Sequence, residues 1–189
     1  MNAKLARFIL TRLMRWTIDD RMEAPEKTAI FLGVPHTSIW DFPIGYFYAA
    51  SNGRKLHVMI KKEAFKPPFG WFIRAVGGFP VDRTDATSTM HGLISDMRAQ
   101  ADKDGYFWLC VCPEGTRKAI KHWKTGYHVI AREVGCPVYL CYYDWKTKHV
   151  GMGPRFEVGD DARADTRKIQ EIYEGMDLHA KHPEGFVTH

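Results

Sequence analysis

The 189-residue chain has no uninterrupted apolar stretch of the roughly 18–20 residues that a membrane-spanning helix needs. Its longest apolar runs, residues 29–34 and 106–112, are strand-sized. Arg12 and Arg15 interrupt what would have to be the continuous core of a secretory leader, so a cytoplasmic chain is expected, soluble or bound to a surface. Cysteine is scarce. The four, Cys110, Cys112, Cys136 and Cys141, fall in expected buried strands and share no C-x-x-C spacing. A zinc cluster wants such pairs in turns, so reduced core thiols and no metal site are expected. Neither a G-x-S-x-G elbow nor an exposed cysteine in an electropositive loop occurs, which removes the usual enzyme nucleophiles. With no such group in the chain, a histidine base would activate a substrate's own hydroxyl or amine. No nucleic-acid recognition signature accompanies the charge, so nucleic acid is not expected as a partner. Repeats, low-complexity tracts and linkers are absent too.

What is present is globular and basic. Apolar residues make up 45% and charged residues 26%, close to folded-domain averages. Lys and Arg number 27 against 22 Asp and Glu, a net charge of +5 that favours anionic partners. The first fifteen residues contain Lys4, Arg7, Arg12 and Arg15 and no acidic residue. A helix is expected over 2–18, with Leu5, Ala6, Ile9, Leu10, Leu13, Met14 and Trp16 on one arc and Phe8 off it. That composition suits a helix lying in a membrane interface, and equally a surface helix packed on the domain. Residues 1–20 are read as this element and 21–189 as the main domain.

Along the rest of the chain, strands are expected at 29–34, 56–60, 79–81, 106–112 and 137–143, with two short ones around Val150 and Phe156. Helices are expected from Ser38 to about Ala50, from Pro67 to Ala75, from Thr84 or Asp85 to about Ala101, over 125–134, and from about Ala162 to Ala180. Strands alternating with helices of ten or more residues imply a single α/β domain, its mainly parallel sheet covered on both faces by helices.

Three segments leave three of these strands. In P-H-T-S-I-W-D (35–41), His36 lies in the loop and Asp41 in the first helical turn. The carboxylate can engage Nδ1–H and leave Nε2 free as a base; Ser38-x-x-Asp41 also reads as a helix cap. G-G-F-P-V-D-R (77–83) places Arg83 at a strand end, where its planar fork suits a phosphate; a helix C-cap with a surface Asp82–Arg83 pair is the alternative. C-P-E-G-T-R (112–117) opens a stretch with no acidic residue from Gly115 to Arg132 but with Arg117, Lys118, Lys121 and Lys124. It reads as an anion-facing loop or as a solvated basic turn.

In this order and spacing, the three segments resemble the first three motifs of the glycerolipid and lysophospholipid acyltransferase family, over about residues 28–145. The segments Phe65-Lys66-Pro67-Pro68-Phe69-Gly70-Trp71 and Trp123-Lys124-Thr125-Gly126 look like a short, soluble branch of it. Pro35, Cys112 and Lys118 depart from the family pattern, as does a fourth motif reduced to Cys136-Pro137-Val138-Tyr139-Leu140.

The resemblance implies that His36 is the general base and Asp41 its orienting partner. Arg83 would hold the acceptor's anionic headgroup, and Glu114 and Gly115 would shape the acceptor site, with Thr116 and Arg117 beside it. Backbone N–H groups near Ser38 would serve the oxyanion. Phe65, Phe69, Trp71 and Phe72 would line an acyl channel or pack in the core. The implied reaction takes an acyl group from acyl-CoA or acyl carrier protein to a lysophospholipid such as 1-acylglycerol-3-phosphate, with no tightly bound cofactor, at the cytoplasmic face of an anionic membrane. N- or O-acylation of an amino acid or amino-lipid, or lipid-surface binding without catalysis, are the alternatives.

Overall fold

The computed structural model describes residues 1–68, 70–82 and 86–188. An N-terminal helix α1 (Ala3–Phe8) continues as a π-helical stretch, Ile9–Leu13, before a short strand β1 (Thr17–Ile18). Then follow β2 (Thr28–Val34), α2 (Asp41–Ser51), β3 (Leu56–Lys61), a 3-10 turn Lys62–Phe65, α3 (Gly70–Ala75) and β4 (Gly78–Val81). The second half runs α4 (Ala86–Asp104), β5 (Phe107–Val111), α5 (Gly126–Val134), β6 (Val138–Asp144), β7 (His149–Gly151), β8 (Arg155–Phe156) and α6 (Ala162–Gly175).

The sheet order is β1-β7-β6-β2-β5-β3-β4, with β8 also paired to β6. From β6 to β4 the strands are parallel; β7 and β8 run antiparallel to β6. Alternation along β2 shows how both faces are used. Ile30, Leu32 and Val34 enter a core with Leu93 and Met97 of α4, Ile130 of α5 and Tyr173 of α6. Ala29 and Phe31 enter a second core with Leu10, Trp16, and Ile44 and Tyr48 of α2. A near-continuous apolar strand is what a two-sided, parallel sheet requires. Gly33 marks a close approach: a Cβ there would lie 2.7 Å from the Tyr143 hydroxyl.

The expected α/β domain with a mainly parallel sheet is therefore present, and several details differ. The N-terminal helix is not one regular stripe. Met14 N–H bonds to the Ile9 carbonyl, an i→i+5 pattern that brings residues five apart onto similar sides. Ala6, Leu10 and Trp16 are buried, while Leu5, Phe8 and Leu13 are 52%, 53% and 66% exposed. The single apolar arc is thus divided, and Phe8 joins its outer part.

The last helix ends at Gly175 rather than near Ala180, and the chain beyond it crosses to the C-terminal edge of the sheet. Trp145 N–H donates to the His179 carbonyl (2.8 Å), and Trp123 Nε1–H to the Val187 carbonyl (3.2 Å). Of the cysteines, Cys110 and Cys141 lie in strands, whereas Cys112 follows β5 and Cys136 precedes β6; Cys110 and Cys112 are half-buried. The expected cap at Thr84 or Asp85 lies outside the described residues. Among the described residues no helix is long and apolar enough to cross a membrane.

Candidate active site

Strand order places the site. Because β2 lies between β5 and β6 and runs parallel to both, the loops leaving the three strands emerge side by side. This edge is where open parallel sheets collect functional groups. His36 follows β2, and Asp41 is the first residue of α2. His36 Nδ1 lies 3.2 Å from Asp41 Oδ2, with the imidazole a quarter exposed and the carboxylate almost wholly buried.

The Asp41 carboxylate gathers further donors. Oδ2 also accepts the N–H groups of Thr37 (3.0 Å) and Ser38 (2.8 Å), and Oδ1 accepts Trp145 Nε1–H at 2.9 Å. The cap anticipated at Ser38-x-x-Asp41 is present: the aspartate reaches back to the Ser38 N–H, and Ser38 Oγ accepts from Trp40 N–H (3.2 Å). Of the backbone N–H groups near Ser38, those of Thr37 and Ser38 are donated to Asp41.

The loop after β5 supports His36 from the other side. Its backbone N–H donates to Glu114 Oε1 (2.8 Å), and Glu114 is buried. A turn closed by Gly115 N–H on the Cys112 carbonyl (3.0 Å) presents that side chain. Gly115 sits at φ +64°, the left-handed region that glycine adopts without strain. Thr116 is half-buried, and Arg117, Lys118, Lys121 and Lys124 are exposed cations on the same loop.

Electrostatics follow from these contacts. Burial pushes the His36 imidazole down, but the Cys112 sulfur and the Asp41 carboxylate push it up, and the net direction is upward from 6.5. Burial holds the Cys112 thiol up at about 11, so that sulfur is uncharged near neutral pH and Asp41 is the effective partner there. With Nδ1–H directed at Asp41, Nε2 is the nitrogen left to exchange a proton. Burial likewise pushes the Glu114 carboxyl up, to about 7.

The structure brings together His36, Ser38, Asp41, Glu114 and Gly115, with Thr116 and Arg117 next along the loop. Arg83 and Phe69 lie outside the described residues. Phe65 is half-buried, and Trp71 and Phe72 are 73% and 52% exposed, so these two do not pack in the core. Sequence reasoning missed Trp145 and the C-terminal tail. His182 N–H donates to Thr37 Oγ1 (3.2 Å), and Lys181 Nζ lies 5.6 Å and 4.7 Å from the Trp40 and Trp145 ring centroids. The one available signal was position, since Trp145 follows β6 as His36 follows β2.

A histidine oriented by a buried carboxylate at the C-terminal edge of a parallel sheet is an arrangement suited to base-assisted group transfer. A family model, that of the acyltransferases, matches residues 15–144, and the chain belongs to that family. Over 117 residues it is 28% identical to a protein of Streptococcus pneumoniae named 1-acyl-sn-glycerol-3-phosphate acyltransferase. That match takes in 57% of this chain and 42% of the pneumococcal protein, so the chain spans less than half of that relative's length.

The Glu114 carboxyl gives a test with a defined sign. Its folded-state value is raised, so its contribution to stability is complete below about pH 4.5 and is lost as pH rises through about 7. Glu114→Gln keeps an acceptor for the His36 N–H and removes this loss. In thermal melts, the variant should gain on the wild type between pH 5 and pH 8. A gap independent of pH would contradict the assignment.

Proposed function

We propose that this chain transfers an acyl group from a thioester donor, acyl-CoA or acyl carrier protein, to the hydroxyl of a lysophospholipid such as 1-acylglycerol-3-phosphate. The observation that carries this reading is the His36–Asp41 pair, 3.2 Å apart, at the sheet edge. An alcohol is a weak nucleophile near neutral pH. His36 Nε2 takes the hydroxyl proton as the oxygen attacks the thioester carbonyl, a form of assistance worth about 10²–10⁴-fold in rate. Asp41 stabilises the imidazolium. The tetrahedral oxyanion then collapses, the C–S bond breaks, and the imidazolium proton goes to the departing sulfur, which leaves as a free thiol with His36 neutral again.

The charge distribution supports an anionic acceptor. Seven of the nine charged residues from Arg54 to Arg83 are basic, and Arg117, Lys118, Lys121 and Lys124 form an exposed group beside Glu114. In this reading Arg83 holds the headgroup, and Glu114 and Gly115 shape its seat, with Thr116 and Arg117 beside it. The expected outcome is that protein mixed with a long-chain acyl-CoA or acyl carrier protein releases thiol when lysophosphatidic acid is added. His36→Ala should lower that rate by at least about 10²-fold while the circular dichroism spectrum shows the fold intact. Undiminished turnover in the variant would refute the mechanism.

The N-terminal segment supports a peripheral seat on the cytoplasmic face of an anionic membrane. It packs Ala6, Leu10 and Trp16 inward, while exposed Leu5, Phe8 and Leu13 are interleaved with exposed Lys4, Arg7, Arg12 and Arg15. An apolar stripe flanked by cations is the composition of an interfacial helix. Replacing Leu5, Phe8 and Leu13 with serine should abolish flotation with anionic liposomes at unchanged melting temperature. Equal flotation of variant and wild type would reject the seat.

A further inference from the structure

Asp41 has two oxygens, and only one faces His36. Oδ2 takes the imidazole and two backbone donors, while Oδ1 accepts Trp145 Nε1–H at 2.9 Å. Trp145 follows β6, the neighbour of β2 on the side opposite β5, so it reaches Asp41 from outside the loop that contains the pair.

The indole is itself held on several sides. The Trp16 ring packs edge-on at 5.2 Å between centroids, and its plane is at 86° to that of Trp145. Lys148 and Lys181 place Nζ 4.3 Å and 4.7 Å from the Trp145 ring centroid. The Trp145 backbone N–H donates to the His179 carbonyl at 2.8 Å. A side chain fixed by the N-terminal segment, the β6–β7 turn and the C-terminal tail has little freedom to take its N–H away from the carboxylate.

We propose that Trp145 is a positioning residue for the His36–Asp41 pair: its indole N–H fixes the rotation of the Asp41 carboxylate so that Oδ2 faces His36 Nδ1. A carboxylate lacking this donor loses the anchor on Oδ1 that complements the two backbone donors on Oδ2, and keeps a buried, unpaired oxygen whose charge is no longer shared with the indole. The proposal rests on the reading of His36 as a base for its effect on rate, but its geometric content is independent of any substrate. The charged and titratable groups around the pair include Lys148, Lys181, Asp144 and His179 on the Trp145 side, Cys112 and Glu114 on the His36 side, and the buried Tyr143 of β6.

The test is the titration of the His36 ring, followed by nitrogen NMR in wild type, Trp145→Phe and Trp16→Phe. Trp145→Phe keeps an aromatic ring for Trp16 and the two lysines and deletes the N–H. Without that donor Asp41 Oδ1 holds more negative charge, so the His36 titration should move upward, cutting the neutral fraction near pH 7 about threefold. Trp16→Phe disturbs the packing but not the donor and should leave the titration in place. No shift in Trp145→Phe, or equal shifts in both variants, would overturn the proposal.

If Trp145→Phe does not fold, the wild-type indole N–H decides. It should exchange slowly and titrate in step with His36; exchange as fast as that of half-exposed Trp40 would overturn the assignment. In turnover, Trp145→Phe should lower kcat about tenfold with the acceptor KM little changed. Full turnover in His36→Ala would remove the base reading alone, leaving Trp145 to be judged on the titration.

Discussion

A buried carboxylate is costly unless donors surround it, and this cost organises the C-terminal edge of the sheet. Asp41 meets it with a histidine, two backbone N–H groups and an indole. Three of those donors belong to the five residues before it, so the loop leaving β2 is wrapped around the first turn of α2. The fourth comes from beyond β6, which ties a neighbouring strand end to the same oxygen pair. Glu114, from beyond β5, fixes the loop's opposite side through the His36 N–H. The exits of three adjacent parallel strands thus converge on one residue pair, and His36 alone among its members keeps a partly open face.

How much of this was legible follows from how local each contact is. Strand β2 could be read from an unbroken apolar run, and the end of α5 from Gly135, which adopts the left-handed cap at φ +72°. His36 and Asp41 are five residues apart, so their meeting needs only a loop running into a helix. The Glu114 and Trp145 contacts span 78 and 104 residues and depend on β2 lying between β5 and β6, an order that no local pattern encodes. Periodicity also failed where the helix departed from its usual pitch. Leu5 and Ala6 already face opposite ways in the regular helix, and the π-helical stretch after Phe8 leaves Leu10 buried and Leu13 exposed, so one apolar arc becomes an inward and an outward stripe. Arg83 was legible as a candidate from its strand-end position, but it lies outside the described residues.

The proposed membrane seat would give the basic charge of the divided helix a physical role. Leu5, Phe8 and Leu13 are exposed among four cations while Leu10 and Trp16 are buried in the core, so under the proposed seat one segment both packs on the domain and meets lipid. Trp16 lies against Trp145, which in turn holds Asp41, so the proposed lipid-facing segment ends beside the proposed catalytic pair. An amphipathic acceptor drawn from a membrane surface would meet the base a short distance from where it leaves the lipid. The cations at Arg117, Lys118, Lys121 and Lys124 are exposed on the adjoining loop.

The central claim is that the Asp41 carboxylate, rather than burial or the nearby thiol, sets the protonation of His36. Ring-nitrogen NMR of His36 in wild type and Asp41→Asn tests it most directly. The account predicts that wild-type His36 titrates above 6.5 with its proton on Nδ1 in the neutral form, and that the Asn variant titrates at or below 6.5. A His36 that titrates alike in both proteins would contradict it.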